Sequence, residues 1–229
     1  GGGPCIIGIG HQISNGLRNG AIVDLDQVEA SVRSTVEAAE QMAGENVRDI
    51  TVCLAGGVPV SKLISFDVSI SDHEIGDADL QRALDPAWLH AQQAVDRQVI
   101  HTLPVGYSID SNRGVRDPRG MYGDKLGVNM HIMTAAAGVM RNLEACIHRC
   151  HLDIESFAIA PYASGLACLV EDEMELGTIC IDMGGGTTTV SVFFDNQVMF
   201  VDSIPVGGNH VTKDIPKIVN NTKKNYKDL

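Results

Sequence analysis

The residues with the clearest chemical potential form the run Asp182-Met-Gly-Gly-Gly-Thr-Thr-Thr189, set between an apolar segment and a β-branched one. Three successive glycines let backbone N–H groups converge on an anion, because glycine accepts positive φ and close approach. A Rossmann phosphate loop would pass from the glycines into a helix. Here they lead into Thr187-Thr-Thr-Val-Ser-Val-Phe-Phe194, which has the composition of a strand. A Walker loop is excluded as well, since no Gly-Lys-Ser/Thr occurs. The glycines are therefore predicted to form a β-hairpin turn, followed by a second turn at Asp195-Asn196 and a strand from Val198. In that turn Gly184, Gly185 and Gly186 would offer amides to phosphate, and the Thr187 and Thr188 hydroxyls would add contacts. Asp182, at the strand end, would hold Mg²⁺ through water, as a hard cation that keeps its waters prefers.

Other constellations are weaker. Cys146-Ile-His-Arg-Cys150-His151 places two soft ligands one helical turn apart, but no second pair has matching spacing. A helix with a buried cysteine pair and exposed histidine is the expectation. The remaining histidines lie in no HExxH or triad context, and Gly8-x-Gly10 lacks the third Rossmann glycine. It is predicted to be a turn at a strand end. Arg113, Arg116 and Arg119 make a basic loop in an acidic chain, a candidate contact for a partner or a second copy.

The 229-residue chain carries a net charge of −12 with 44% hydrophobic residues, a globular composition with enough chain for a proper core. Such an acidic balance argues against nucleic acid and anionic lipid as partners. The segment Pro216–Leu229 is locally basic, with four Lys and one Asp. No run approaches the roughly 20 apolar residues of a membrane span. The opening Gly1-Gly-Gly-Pro-Cys has neither the basic nor the apolar region of a signal peptide. The six cysteines sit mostly in apolar stretches and are expected to be buried, reduced and cytosolic.

The elements that must position these residues follow from periodicity. Strands are predicted at Cys5–Gly10, Ala21–Val23, Asp49–Ala55, Ser156–Ala160 and Thr178–Asp182, the last three of them buried. Gly16–Gly20 reads as a basic turn, and Asp24 as an N-cap. A helix over Asp26–Met42 carries Val28, Val32, Val36 and Ala39 on one face and stops at Gly44. Helices are also predicted for Ala137–His151, with Val139, Leu143 and Ile147 inward, and for Pro161–Val170. Between them lies a block of different texture: strand Ser61–Ser69, helix Asp77–Arg97, strand Val99–Ile109, a polar turn at Ser111–Gly114 and an alternating strand Leu126–Thr134. This reads as a small α+β unit inserted into an α/β domain.

Beyond the glycine run, Gly8-Ile-Gly-His-Gln, Gly20-Ala-Ile-Val-Asp, Ala38-Ala-Glu-Gln-Met-Ala-Gly, Gly127-Val-Asn-Met-His and Ser203-Ile-Pro-Val-Gly-Gly-Asn-His-Val-Thr-Lys-Asp-Ile215 resemble the FtsA family of bacterial division proteins. The resemblance covers about residues 8–215. It implies an α/β, actin-like (ribonuclease H-like) ATPase fold with an inserted 1C (SHS2-type) subdomain. Residues 5–60 and 136–178 would be subdomain 1A, 61–135 would be 1C, and 179–215 would open 2A. The resemblance further implies ATP with Mg²⁺, self-association into filaments and contact with FtsZ and other division proteins. The implied location is the cytoplasmic face of the inner membrane at the division site. Membrane attachment would come only through a C-terminal helix that this chain lacks. Contacts through 1C would fit the arginine loop. Residues 216–229 match nothing in the family and are expected to be non-native; the family's first phosphate motif, which precedes Gly1, is expected to be missing. Hsp70-like and MreB-like relatives carry a carboxylate before a proline where this chain has Ala160 before Pro161, so weak or absent hydrolysis is expected. A PilM-type pilus-assembly ATPase, a small-molecule kinase and an Hsp70-type chaperone are the alternatives.

Overall fold

The computed structural model describes residues 5–70, 73–91, 96–110 and 112–215. The expected tail, 216–229, lies outside these, as do the first four residues, residues 71–72 and 92–95, and Ser111.

Strands β1 (Leu17–Arg18) and β2 (Ala21–Ile22) pair around Asn19-Gly20, whose φ values of 52° and 77° are both left-handed. Two such residues make the turn whose twist matches the flanking strands. The expected turn over Gly16–Gly20 is thus a hairpin. Helix α1 (Leu25–Ala43) begins where Asp24 accepts the Gln27 N–H at 3.1 Å and ends at Gly44, φ 73°. That satisfies one orphan amide at the start and supplies the left-handed stop at the end.

Strand β3 (Asp49–Leu54) pairs in parallel with β8 (Asp153–Ile159). Between them run β4 (Val60–Ser69), α2 (Asp77–Ala91), β5 (Arg97–Ile109), β6 (Asn112–Val115), β7 (Lys125–Ala136) and α3 (Ala137–Arg149). The four strands form one antiparallel sheet in the order β4-β7-β5-β6. The expected polar turn is partly strand β6, and Arg97 belongs to β5, not to the preceding helix. After β8 come α4 (Ala160–Cys168), with Pro161 in its first turn, and a short α5 (Glu171–Leu176) that periodicity did not announce. Strands β9 (Thr178–Met183), β10 (Thr188–Phe194) and β11 (Gln197–Ile204) close an antiparallel sheet in the order β11-β10-β9.

Several expectations change. Cys5–Gly10 is not a strand. A Cβ on Gly8 would lie 2.3 Å from the Ala39 carbonyl oxygen and one on Gly10 1.8 Å from that of Thr35, so this segment runs against the backbone of α1. No strand among the described residues offers it a ladder. Strands β3 and β9 are not buried throughout: Ile179, Ile181 and Met183 are 63% to 69% exposed, because β9 is a sheet edge with no described layer over that face. All six cysteines are free, but Cys5, Cys53 and Cys168 are exposed and only Cys146 is buried. On α3, Met140, Cys146 and Ile147 are buried, while Val139 and Leu143 are half-buried.

Strand β7 does not alternate between core and water, since both faces are covered. Leu126, Val128, Met130 and Ile132 pack with Leu80 and Ala83 of α2. On the other side Met133 joins Ile159, Phe193, Val198 and Val201. His131 shares that second side, is fully buried, and neither ring nitrogen makes a hydrogen bond of ordinary geometry, although the Val198 backbone approaches it. His101 of β5 is better placed: its Nε2 accepts the Ile159 N–H at 3.2 Å, and its ring meets Tyr162 edge-on at 5.3 Å. Tyr162 in turn stacks on Phe193 at 6.3 Å. Burial pushes the pKa of both histidines below the ordinary value of 6.5.

The neutral forms are the ones folded in, so the unfolded chain takes up protons more readily. Their contribution is complete above about pH 6.5 and is lost as pH falls through the lowered folded values. Urea unfolding of the wild-type chain should therefore lose stability between pH 7 and 5. His131→Leu should lose less over that interval. An equal loss in the two chains would refute this account.

Candidate functional site

The glycine run forms the predicted turn. Thr188 pairs with Met183 across the β9–β10 ladder, and the Gly184 N–H donates to the Thr187 carbonyl at 2.9 Å. A helix over 208–215 begins beside it. Its first amides would ordinarily lack partners. Here Gly208 N–H donates to the Gly184 carbonyl and Asn209 N–H to that of Gly185, each at 2.9 Å. The Gly207 N–H donates to His210 Nδ1 at 3.1 Å, so the neutral His210 ring carries its proton on Nε2. With the turn's carbonyls occupied in this way, the amides of Gly185 and Gly186 have no acceptor among the described residues. They are the donors left for an anion.

Close backbone approach builds the surroundings. A Cβ on Gly207 would stand 2.4 Å from the Gly184 oxygen, so only glycine fits. The β1–β2 turn reaches the same place: a Cβ on Gly20 would be 2.6 Å from Gly56 Cα and 3.3 Å from Thr187 Cγ2. Gly186 faces the Asn19 amide nitrogen, 3.4 Å from its ideal Cβ position. These turns enclose a cleft of about 680 Å³ lined by Ser14, Leu17, Arg18, Asn19, Gly20, Ala55, Gly184–Thr187, Asn209, His210 and Lys213.

Four of the expected phosphate contacts, Gly184, Gly185, Gly186 and Thr187, line this cleft. Thr188 does not. Its hydroxyl donates to the Val206 carbonyl at 2.7 Å, tying the strand to the segment that leads into the helix. Asp182 is also off the cleft: its Oδ2 accepts the Ser164 hydroxyl of α4 at 3.0 Å. The Cys53 thiol lies close enough that burial, and then the Asp182 charge, push its pKa up. No cluster of three His, Cys, Asp or Glu side chains able to hold a metal occurs among the described residues.

The arginine loop is more engaged than its sequence suggested. Arg116 reaches Asp195 at 2.7 Å and Glu175 at 3.6 Å, spanning from the inserted sheet to the β10–β11 turn. Arg119 binds Asp77 at 2.6 Å and Asp117 at 3.1 Å. Arg113, opposite Ser108 in the β5–β6 ladder, has no ion pair among the described residues. Sequence reasoning assigned no phosphate role to Arg18, Asn19, Asn209, His210 or Lys213. The Asn-Gly pair at 19–20 and the Gly-Gly pair at 207–208 were the signals that chain turns would bring them together.

Two family models match the chain. The one described as "SHS2 domain inserted in FTSA" covers residues 56–134, and the one described as "Cell division protein FtsA" covers 179–226. The second match runs past Ile215 into the basic segment. The cell division protein FtsA of Rhizobium meliloti (strain 1021) is 46% identical over 93% of this chain and 48% of its own length. That of Pseudomonas aeruginosa is 37% identical over 92% of the chain and 50% of its own. The chain thus spans about half the length of these curated relatives. Among solved structures, the PilM-PilN type IV pilus biogenesis complex superposes with a TM-score of 0.59 at 13% identity, over 91% of this chain and 56% of that one.

The contact between Gly207 and the turn supplies a matched pair of substitutions. Gly207→Ala should destabilise the chain by about 2 kcal/mol or more in thermal or urea unfolding, since backbone must move to admit the methyl. Gly208→Ala, whose Cβ would meet the Gly184 oxygen at 3.9 Å, should cost almost nothing. Equal effects would mean that the close approach does not hold the turn.

Proposed function

The chain belongs to the FtsA family of cell-division proteins, with an actin-like ATPase fold and an inserted SHS2-type domain, and from that premise we propose that its glycine cleft binds the phosphates of ATP. The observation that carries this reading is the pair of unengaged amides at Gly185 and Gly186, opening into a cleft that no carboxylate lines. Gly184 and Thr187 shape the turn around them. Thr188 acts through its bond to Val206 by fixing the turn's second leg.

Asp182 lies off the cleft lining, so it could reach a phosphate-bound Mg²⁺ only through water. Asp182 is committed to Ser164 through one oxygen, which leaves the other to hold an ion through water. When bound, the ion would neutralise phosphate charge. The amides of Gly185 and Gly186 would orient the phosphates. Hydrolysis is weak or absent on this reading, because Ala160, buried at the start of α4, provides no group to position water.

On the scale of the whole protein, the reading is a nucleotide-dependent polymer that anchors and regulates the FtsZ ring on the cytoplasmic face of the inner membrane during septum formation. No described helix is long and apolar enough to cross a membrane. In this reading attachment would come through a C-terminal helix of the family. Residues 5–60 with 136–178, 61–135 and 179–215 would act as subdomains 1A, 1C and the opening of 2A. In 1C, Arg113 is the arginine left free for partner contact. A pilus-assembly role is less favoured, since the PilM-containing structure is 13% identical where FtsA of Rhizobium meliloti is 46%.

Titration with Mg·ATP, followed by amide hydrogen exchange, tests the site. Protection should appear at Gly185, Gly186 and the start of the helix at 208, and Gly185→Val should weaken binding at least tenfold, about 1.4 kcal/mol. Exchange at those amides that ignores saturating nucleotide would remove the reading.

A further inference from the structure

The cleft's electrostatics differ from those of the rest of the chain. The protein has 29 acidic residues against 17 Lys and Arg, yet none of the residues lining the cleft is acidic, while two, Arg18 and Lys213, are basic. Most other arginines are tied down: Arg33, Arg48, Arg82, Arg116, Arg119 and Arg149 form ion pairs and Arg97 hydrogen-bonds Val58 and Thr134, whereas Arg113 and Arg141, like Arg18, form no ion pair among the described residues, and neither of those two lines the cleft. The side chains of Arg18 and Lys213 have no ion pair or hydrogen bond among the described residues. They also enter from different walls. Arg18 is the last strand residue before the left-handed Asn19-Gly20 turn, whereas Lys213 lies on the helix that the glycine turn docks. Close backbone packing at Gly20, Gly186 and Gly207 fixes both walls relative to the turn.

We propose that Arg18 and Lys213 are charge-reading residues that make this cleft select polyphosphates by their charge, favouring a triphosphate over a diphosphate and a diphosphate over a single phosphate. The inference rests on the phosphate reading of the glycine turn and deepens it. The two amides of Gly185 and Gly186 are neutral donors that position one phosphoryl group. They do not count charges. Two unpaired cations on separate walls do, because each added phosphoryl group brings further negative charge within their reach. Coulomb attraction across an open cleft is also screened by salt, unlike the short amide contacts. Preference for the longer polyphosphate should therefore shrink as ionic strength rises.

The test uses the 229-residue chain with inorganic phosphate, pyrophosphate and tripolyphosphate, in EDTA so that no metal contributes. Affinities are read by calorimetry, and the amide resonances of Gly185 and Gly186 by NMR. The wild-type chain should rank tripolyphosphate above pyrophosphate above phosphate. Arg18→Gln and Lys213→Gln should each weaken tripolyphosphate about fivefold, as expected for exposed charge pairs, with phosphate little changed. Arg113→Gln, an unpaired arginine away from the cleft, serves as the charge control and should match wild type. Both test residues are free of partners, so thermal melts of the variants should match wild type. If the Gly185 and Gly186 resonances shift but Arg18→Gln and Lys213→Gln bind tripolyphosphate as tightly as wild type, the charge-reading proposal is overturned and the glycine reading survives. If neither resonance moves with any of the three probes, both fail together.

Discussion

Helix amides without partners and a glycine turn with exposed carbonyls are two incomplete structures, and in this protein each completes the other. The amides of Gly208 and Asn209 donate to the carbonyls of Gly184 and Gly185. This exchange has a directional consequence. A helix N-terminus often serves as an anion site through its free amides, but here its first donors are consumed by the turn. The peptide planes of the turn are oriented by those bonds, with their oxygens toward the helix. The donor function passes to Gly185 and Gly186. The arrangement requires the chain at Gly207 to pass within contact of Gly184, which a side chain at Gly207 would prevent.

From that contact the constraint runs outward along β10. Thr187, Thr189, Ser191 and Phe193 alternate on one side of it and are all buried, from 7% exposure at Thr187 to 0% at Ser191. Ser191 donates to the Pro161 carbonyl at 2.7 Å, and Phe193 stacks under Tyr162, so the strand that carries the turn is locked to the first turn of α4. The same Tyr162 meets His101 of the inserted sheet. At the far end of β10 the Asp195-Asn196 turn receives Arg116 from that sheet. An exposed ion pair of this kind contributes little stability; the buried aromatic and histidine contacts do the holding, and Arg116 fixes which loop sits over the turn.

The sequence made some of this legible and concealed the rest for physical reasons. The hairpin around the glycines was readable because strand composition on both sides is a local property. Helix α1 was readable too, since Asp24 and Gly44 are local start and stop signals. What was hidden depends on partners distant in the chain. Cys5–Gly10 has the composition of a strand, but a strand exists only with a neighbour, and the glycines there accommodate the α1 backbone instead. Apolar β9 suggested two covered faces, whereas its side chains at Ile179 and Ile181 point to an open one. Thr188 and Asp182 were given ligand roles from proximity to the glycines. Strand alternation puts Asp182 toward α4, and the Val206 carbonyl captures Thr188. Arg18 and Lys213 are 195 positions apart and could be joined only through the fold.

The cleft and the insert are shaped by different contacts, and each is matched by its own family model. Glycines that must admit another backbone are fixed by geometry that any protein using this turn would share. The four-stranded sheet is under no such demand from phosphate. Its β7 is buried on both faces by contacts peculiar to this arrangement: α2 on one side, and the body that carries Phe193 and Val201 on the other. A strand covered twice must match two surfaces at once, and its sequence is correspondingly specific. The match of a family model to residues 56–134 includes this strand. A structure with only 13% identity can still superpose over most of the chain, because backbone close approach preserves shape while the side chains that distinguish partners are free to differ.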